Sequence, residues 1–356
     1  MKIIRHFLVL TLSFFCLVAL AHHGPVNNAF LYHSDELIEL EGELTDILWR
    51  NPHTRAKVQV SGDDGEQIEW ELDFGPAPDR FRYMGLDKED FLGPVKVAGY
   101  LARRRERTLG IVNILFPDGR EYVQVLPSAP DPGLRWSNIR LSHRAPVFTP
   151  EQVAAAEAAA NGIFRMWDVP VGRRLDAILD EAEFTETGAS LSASYDHITD
   201  NPLLKCEQGM PETMNDPRPI QISDLGDRIR MEVAQFNVVR VIHLDLEEPP
   251  SNVEPSNVGF SIGQWETPSR LVVETSHVDW PWYSALGTPQ SDQVRYYETF
   301  TLEDTEAGPR LHQTMTITDP LIFQYPISYE YTRVPIPGYE IEPYDCVSEW
   351  ARAENE

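Results

Sequence analysis

Positive charge is scarce in this sequence: 30 Lys plus Arg face 56 Asp plus Glu over 356 residues, a formal charge of −26. A chain so acidic repels phosphate backbones and anionic lipid surfaces, which argues against non-specific binding to nucleic acid or to a charged membrane face. Long apolar runs are equally few. Beyond the first twenty or so residues no stretch of about 18 apolar residues occurs, so no membrane span is expected in the mature chain. Cysteine appears three times. What remains is an ordinary folding composition, 42% apolar and 24% charged with 28 Pro and 21 Gly, unlike a collagen, a wholly disordered chain or a polytopic membrane protein.

The N-terminus reads as a secretory signal. Met1 to Arg5 supplies a positive start, Phe7 to Leu20 is almost entirely apolar, and Ala19-Leu20-Ala21 fits a small-residue cleavage site. The expected product is soluble and periplasmic or secreted, beginning at His22. Cys16 falls inside the signal, behind Ser13-Phe14-Phe15, which lacks the small residues of a lipoprotein site. Cys206 and Cys346 are left as one pair. In an oxidising compartment they most simply form a disulfide, two separately buried thiols being the alternative.

Composition divides the mature chain once. Residues 22–126 read as a β domain, 127–161 as a Pro-rich linker with a short helix, and 162–356 as a second β domain. In the first, Ile68, Trp70, Leu72 and Phe74 alternate with polar residues at period two. Ile38, Leu40, Gly42 and Leu44 alternate too, and Ile47 and Trp49 then slip by one, which predicts a bulge. Further strands are expected at Val58/Val60, Val95/Val97, 111–116 and 122–125, with one short helix over 76–84. That order is the one expected of a small Greek-key barrel of OB type. In the linker, Thr149 is an N-cap candidate for an Ala-rich helix that Asn161-Gly162 ends. From Ile163 on, runs at 163–169, 229–234, 238–246, 258–265, 271–278, 294–302, 311–318 and 322–332 read as strands of a larger antiparallel, lipocalin-like β-barrel.

Several residue groups could carry chemistry. His22-His23 at the expected mature terminus offers an α-amine and a ring nitrogen to one metal, and a third nitrogen from His53 or His33 would complete a set that suits copper(II). Otherwise the pair is two histidines on a frayed end. Gly259-Phe260-Ser261-Ile262-Gly263 has the spelling of a nucleophile elbow, yet no helical run follows it, so no elbow is expected. His243/Asp245 and His277/Asp279 each share a strand face; if those faces point into the barrel, they could act as acid/base pairs, with Glu232, Arg240, Glu274 and Glu298 on nearby runs. The competing reading is a structural hydrogen-bond network. Glu232, Trp265, Trp280, Trp282 and Tyr297 are the candidate ligand contacts, aromatics being equally the usual filling of a barrel. Arg103 to Arg107 is the one basic cluster and reads as a solvated hairpin turn.

His22-His23, Glu41-Gly42, Trp49-Arg50-Asn51-Pro52-His53, the Trp70 strand and Leu115 to Arg120, taken in that order, resemble an exported bacterial family, domain-of-unknown-function family 6152, over roughly residues 22–125. That family usually has Ser after the His pair, where this chain has Gly24. The second half resembles a module of other secreted bacterial proteins. The likeness is carried by Cys206 with Gly209-Met210-Pro211, by Arg240, His243 and Asp245, by Gly259 to Glu266, by Leu271 to Thr275, and by Asp319-Pro320. Thr267 to Arg270 replaces the Gly-Asp usual there. Neither resemblance implies an activity; both imply an exported all-β protein. The expectation is a binding protein for a small-molecule ligand, with copper as a candidate cofactor. A barrel enzyme and an envelope structural or interaction module are the alternatives, and oligomeric state is not legible.

Overall fold

The alternation at 67–73 does produce a strand, β3 (Gln67–Asp73), with Leu72 turned fully inward. The structure is a computed structural model and describes residues 31–51, 53–62, 64–82, 84–103, 105–124, 131–141, 148–197, 199–215 and 218–346. The expected signal, with Cys16, His22 and His23, lies outside the described residues. Ahead of β3 come β1 (Tyr32–Leu48) and β2 (Arg55–Ser61); after it come α1 (Pro78–Arg82), β4 (Gly93–Ala102), β5 (Thr108–Leu115) and β6 (Glu121–Val123). These six strands form one sheet in the order β3-β2-β1-β4-β5-β6, and β3 also pairs with β5 in parallel, so β1, β2, β3, β5 and β4 run in a closed circuit. The slip expected near Ile47 is a register shift between Leu44 and Asp46 against β2. Gly42 is required where the strands cross closely, because a Cβ there would sit 2.3 Å from the Gln59 carbonyl oxygen. The core inside the circuit holds Leu44, Val58, Leu72, Val97 and Ile111, and it is sealed by Phe74, Phe81 and Phe91, whose rings meet edge-on at 5.0 to 5.8 Å.

Part of the expected linker belongs to this sheet. Residues 131–141 lie against β5 and β6, where the buried Glu121 carboxylate accepts from the backbone N–H groups of Arg135, Trp136 and Ser137 at 2.8 to 3.0 Å. Proline density suggested a spacer, but a carboxylate with four donors to gather ties the segment down, Asn113 supplying the fourth. The helix α2 (Pro150–Ala159) follows as expected, capped by Thr149, whose hydroxyl accepts from the Gln152 N–H at 3.2 Å.

The second sheet has ten strands: β7 (Met166–Trp167), β8 (Val171–Gly172), β9 (Ile220–Asp224), β10 (Arg228–Val233), β11 (Val238–His243), β12 (Phe260–Thr267), β13 (Arg270–Ser276), β14 (Arg295–Thr305), β15 (Gly308–Thr318) and β16 (Ile327–Arg333). Its ends approach each other, since Asp168 N–H donates to Val334 O at 2.8 Å and Ile336 N–H to Met166 O at 3.2 Å, joining β7 to the continuation of β16. The result is barrel-like. One expectation is corrected: β11 and β12 pair in parallel, because the 244–259 connection, with its Pro249-Pro250, carries the chain back to the starting end before β12 begins. Between β8 and β9 lie α3 (Leu175–Leu179), α4 (Glu186–Ala193) and α5 (Glu212–Asn215), and this segment packs Leu175, Ile178, Leu179, Met210 and Met214 into the second core.

The segment after β16 straps the two sheets together. Asn51 N–H donates to Asp345 O at 3.0 Å, Arg82 meets Glu342 at 3.3 Å, and Arg218 of the second half pairs with Asp79 of α1. Cys346 ends the strap in a disulfide with Cys206, as the residue count led us to expect. The bond closes a separation of 140 residues, and in the chain-entropy account constrains the unfolded state by about 4 to 5 kcal/mol. Replacing both cysteines by serine should therefore lower the urea midpoint by an amount equivalent to at most that figure. An unchanged midpoint would show that the strap holds without it.

Candidate functional site

Inward-facing positions of the second sheet are filled by side chains. Leu271, Val273, Phe300, Leu311 and Met315 are among the packed residues, and a polar network crosses the middle. Arg240, on β11, has a fully buried side chain; its Nη1 donates to Glu298 Oε1 at 3.1 Å, its Nε to Ser261 Oγ at 3.0 Å and its Nη2 to Thr275 Oγ1 at 2.8 Å. A second contact between Nη2 and the other carboxylate oxygen makes the Arg240–Glu298 pair bidentate. Gln313 adds an N–H to Glu298 at 2.9 Å.

This network decides where the sequence-selected histidines lie. The acid/base reading requires residues 239, 241 and 243 to face inward. Instead 238, 240 and 242 are buried and Val239 is 38% exposed, because Arg240 has its partners inside. His243 therefore sits on the outer face, half-buried, with its ring stacked on Phe260 at 4.6 Å. Asp245 follows the strand and is exposed. His277 comes one residue after β13 with φ +54°, which breaks the alternation; it is half-buried with Nδ1 2.8 Å from Ser276 Oγ, while Asp279 is exposed. Neither His-x-Asp pair points into the barrel. Ser261, the serine of the elbow-like spelling, is buried in mid-strand as a partner of Arg240.

The outer face of β12–β14 forms a groove instead, about 850 Å³ in volume, walled by residues 244–249. Its floor carries Ile262 and Gln264 from β12, Val272 and Glu274 from β13, and Tyr297 from β14. Register places Glu274 directly across from Ile262 on one side and Tyr297 on the other. Asp245 and Glu247 enter from the wall, and His277 and Arg295 from one end. The groove thus unites one member of each His-x-Asp pair, Asp245 and His277. Its floor was legible in principle: along 270–276, Arg, Val, Glu and Ser alternate with Leu, Val and Thr, and the polar set is the outward one.

Of the other aromatic candidates, Tyr297 alone lines the groove, 42% exposed. Trp265 packs edge-on against Phe164 at 6.2 Å, Trp280 lies over Gly209, and Trp282 meets Tyr195 at 4.7 Å. They belong to separate packing sites. Glu232 is half-buried on β10 in an ion pair with Arg230.

A second polar cluster lies in the first sheet. Asp73, at the end of β3, is buried; it accepts from the Tyr32 hydroxyl at 3.0 Å and from Gly75 N–H at 3.1 Å, with Arg55 at 3.5 Å and His53 Nδ1 at 3.6 Å. Burial pushes its carboxyl up, but Arg55, His53 and the Gly75 N–H together hold it well below the usual carboxylate range. Burial, then the Asp73 charge, push the Tyr32 phenol up, which keeps it a donor. His33, on β1, is half-buried. Among the described residues no group of three or more His, Cys, Asp and Glu is placed to hold a metal ion.

A carboxyl depressed in the native state stabilises the fold fully above its unfolded value of about 4, and the contribution is lost as pH falls through the native value. Asp73→Asn should accordingly be less stable than the parent at pH 7 in urea titrations, the two converging at strongly acid pH. A constant difference at every pH would mean that the ionised carboxylate is not what matters.

Residues 11–110 match a family described as a family of unknown function, DUF6152. The match runs from the apolar N-terminal stretch to Gly110 in β5, so it spans most of the first sheet. No curated protein matches the chain.

Proposed function

We propose that this chain is an exported, non-catalytic binding protein of two domains, an OB-type barrel over 22–126 and a lipocalin-like barrel over 162–356, whose small-molecule ligand lies in the groove on β12–β14. Export is supported by the signal-like N-terminus and by the Cys206–Cys346 bond, which suits an oxidising compartment. The closed circuit of β1, β2, β3, β5 and β4, with a helix between β3 and β4, supports the first architecture. The bonds between β7 and the continuation of β16 support the second.

The observation that carries the binding reading is the groove itself: it has the volume of a ligand site, apolar floor positions and a few converging polar groups. Binding is favoured over catalysis because neither His-x-Asp pair joins its two members by a hydrogen bond or points into the barrel, and because the serine with a nucleophile-like spelling is sealed inside. In a thermal-shift screen of sugars, aromatic acids and amines, a true ligand should stabilise by RT ln(1 + [L]/Kd), about 2.7 kcal/mol at a hundredfold excess over Kd. Val272→Arg, which fills the floor, should abolish that shift without changing the fold. Hits that bind equally well to the variant would move the site elsewhere.

A copper site at the mature terminus is a second reading, favoured by His53. Its Nδ1 faces the buried Asp73, as in the carboxylate–histidine arrangement that orients metal-binding imidazoles, and the ring is 34% exposed. The amine and ring of His22, with His23 beside it, would supply the remaining nitrogens. Protein exported through its own signal should begin at His22 and carry about one copper per chain by mass and elemental analysis, lost in His53→Ala. The same mass with no copper after exposure to the metal would end this reading.

A further inference from the structure

We propose that the groove recognises an organic ammonium ion, with Glu274 and Tyr297 as the recognising pair; this rests on the groove being the ligand site. On the outer faces of the two sheets some carboxylates are matched by cations, Glu41 by Lys96 at 2.9 Å, Glu69 by Lys57 at 2.8 Å, and Glu303 by His312 at 2.7 Å, while others such as Glu43 and Glu330 stand singly among the described residues. Next to the groove, Glu266 pairs with Arg270 at 2.8 Å. What sets the groove apart is that three unmatched carboxylates share one cavity. Asp245, Glu247 and Glu274 make no ion pair or side-chain hydrogen bond among the described residues, although all three line one cavity. Arg295 is the one guanidinium of the lining, and its Nη1 is turned to Val294 O at 2.8 Å. A cavity with three uncompensated carboxylates and one guanidinium attracts cations.

The surroundings of Glu274 narrow the kind of cation. Its cross-strand neighbours are Ile262 and Tyr297, so the carboxylate stands between an aliphatic side chain and an aromatic ring on the same face, each about 5 Å away at Cβ. A carboxylate across from an aromatic side chain suits an ammonium group with carbon attached: the charge would meet Glu274 and the ring quadrupole, while the carbon would lie on Ile262 and Val272. A bare metal ion fits less well. Asp245 and Glu247 sit on the wall and Glu274 on the floor, and among the described residues no three metal-binding side chains converge. Three separated carboxylates match an extended molecule carrying more than one amine.

The test is calorimetric titration of the full chain at low salt with spermidine and with benzyltrimethylammonium, beside maltose as an uncharged probe. Saturable binding of either ammonium is expected, weakened about tenfold or more by Glu274→Gln, weakened by Tyr297→Leu and by added salt, and unchanged by Glu266→Gln. Glu274 and Tyr297 are exposed, so unaltered melting temperatures are expected to show that both variants fold. The proposal is overturned if neither ammonium binds, or if Glu274→Gln binds as the parent does. Should maltose bind in a manner lost in Val272→Arg but insensitive to Glu274→Gln, the binding function stands and the ammonium specificity falls. If none of the three probes binds and the broader screen yields nothing sensitive to Val272→Arg, both fall together.

Discussion

One guanidinium organises the second half of the chain. From β11, Arg240 reaches Ser261 on β12, Thr275 on β13 and Glu298 on β14, and Gln313 of β15 joins through the carboxylate, so five consecutive strands share one buried network. Burying both charges is costly, and the pair holds only because nearly every donor and oxygen around it is matched. Removing a single partner from such a pair typically costs about 3 to 5 kcal/mol, since the other charge is then stranded in the core. What the network contributes beyond stability is orientation. With Arg240 inside, the alternate residues of β11 must lie outside, and the polar chemistry of this half collects on its outer surface. The groove lies on that outer surface, with Arg295 as the one guanidinium of its lining.

This also explains which parts of the molecule could be read in advance. Where one physical rule acts alone, residue patterns suffice: the period of two at 67–73, the slip near Ile47, the Thr149 cap, and the pairing of the two remaining cysteines. Residue patterns do not suffice where a distant partner decides. On β11 the alternation leaves open which face is the inner one, and the partner of Arg240, 58 residues away, decides it. At 131–141 proline content suggests a spacer, whereas the unspent acceptors of Glu121 hold the segment in place. Two-residue strands such as β8, and helices of four to eight residues between 175 and 215, carry too few positions for any period to show.

The candidate site was half legible. Asp245, His277 and Tyr297 are singled out by their types, but the surface that unites them depends on the 244–259 connection folding back beside β12, which no local pattern announces. The residues of the second half that carry a likeness to other secreted proteins divide in the same way. Arg240, Ser261 and Asp319 are scaffold: Asp319 accepts from the Tyr283 hydroxyl at 2.8 Å and from Ser291 N–H at 2.9 Å, pinning one loop. A shared spelling here describes how a sheet is held, and says little about what it binds.

The strap has a bearing on the order in which the molecule can be completed. Cys346 follows the sixteen strands of the described residues, yet the backbone beside it pairs with Asn51, ahead of β2, and its sulfur with Cys206. A chain threaded from its N-terminus would have both sheets in place while Cys206 still waited for its mate. The contact between the halves is thus sealed from the tail, and a chain stopped short of residue 346 would leave Cys206 as a lone thiol exposed to mispairing between molecules. Completion of the covalent structure reports that the whole chain through residue 346 has arrived.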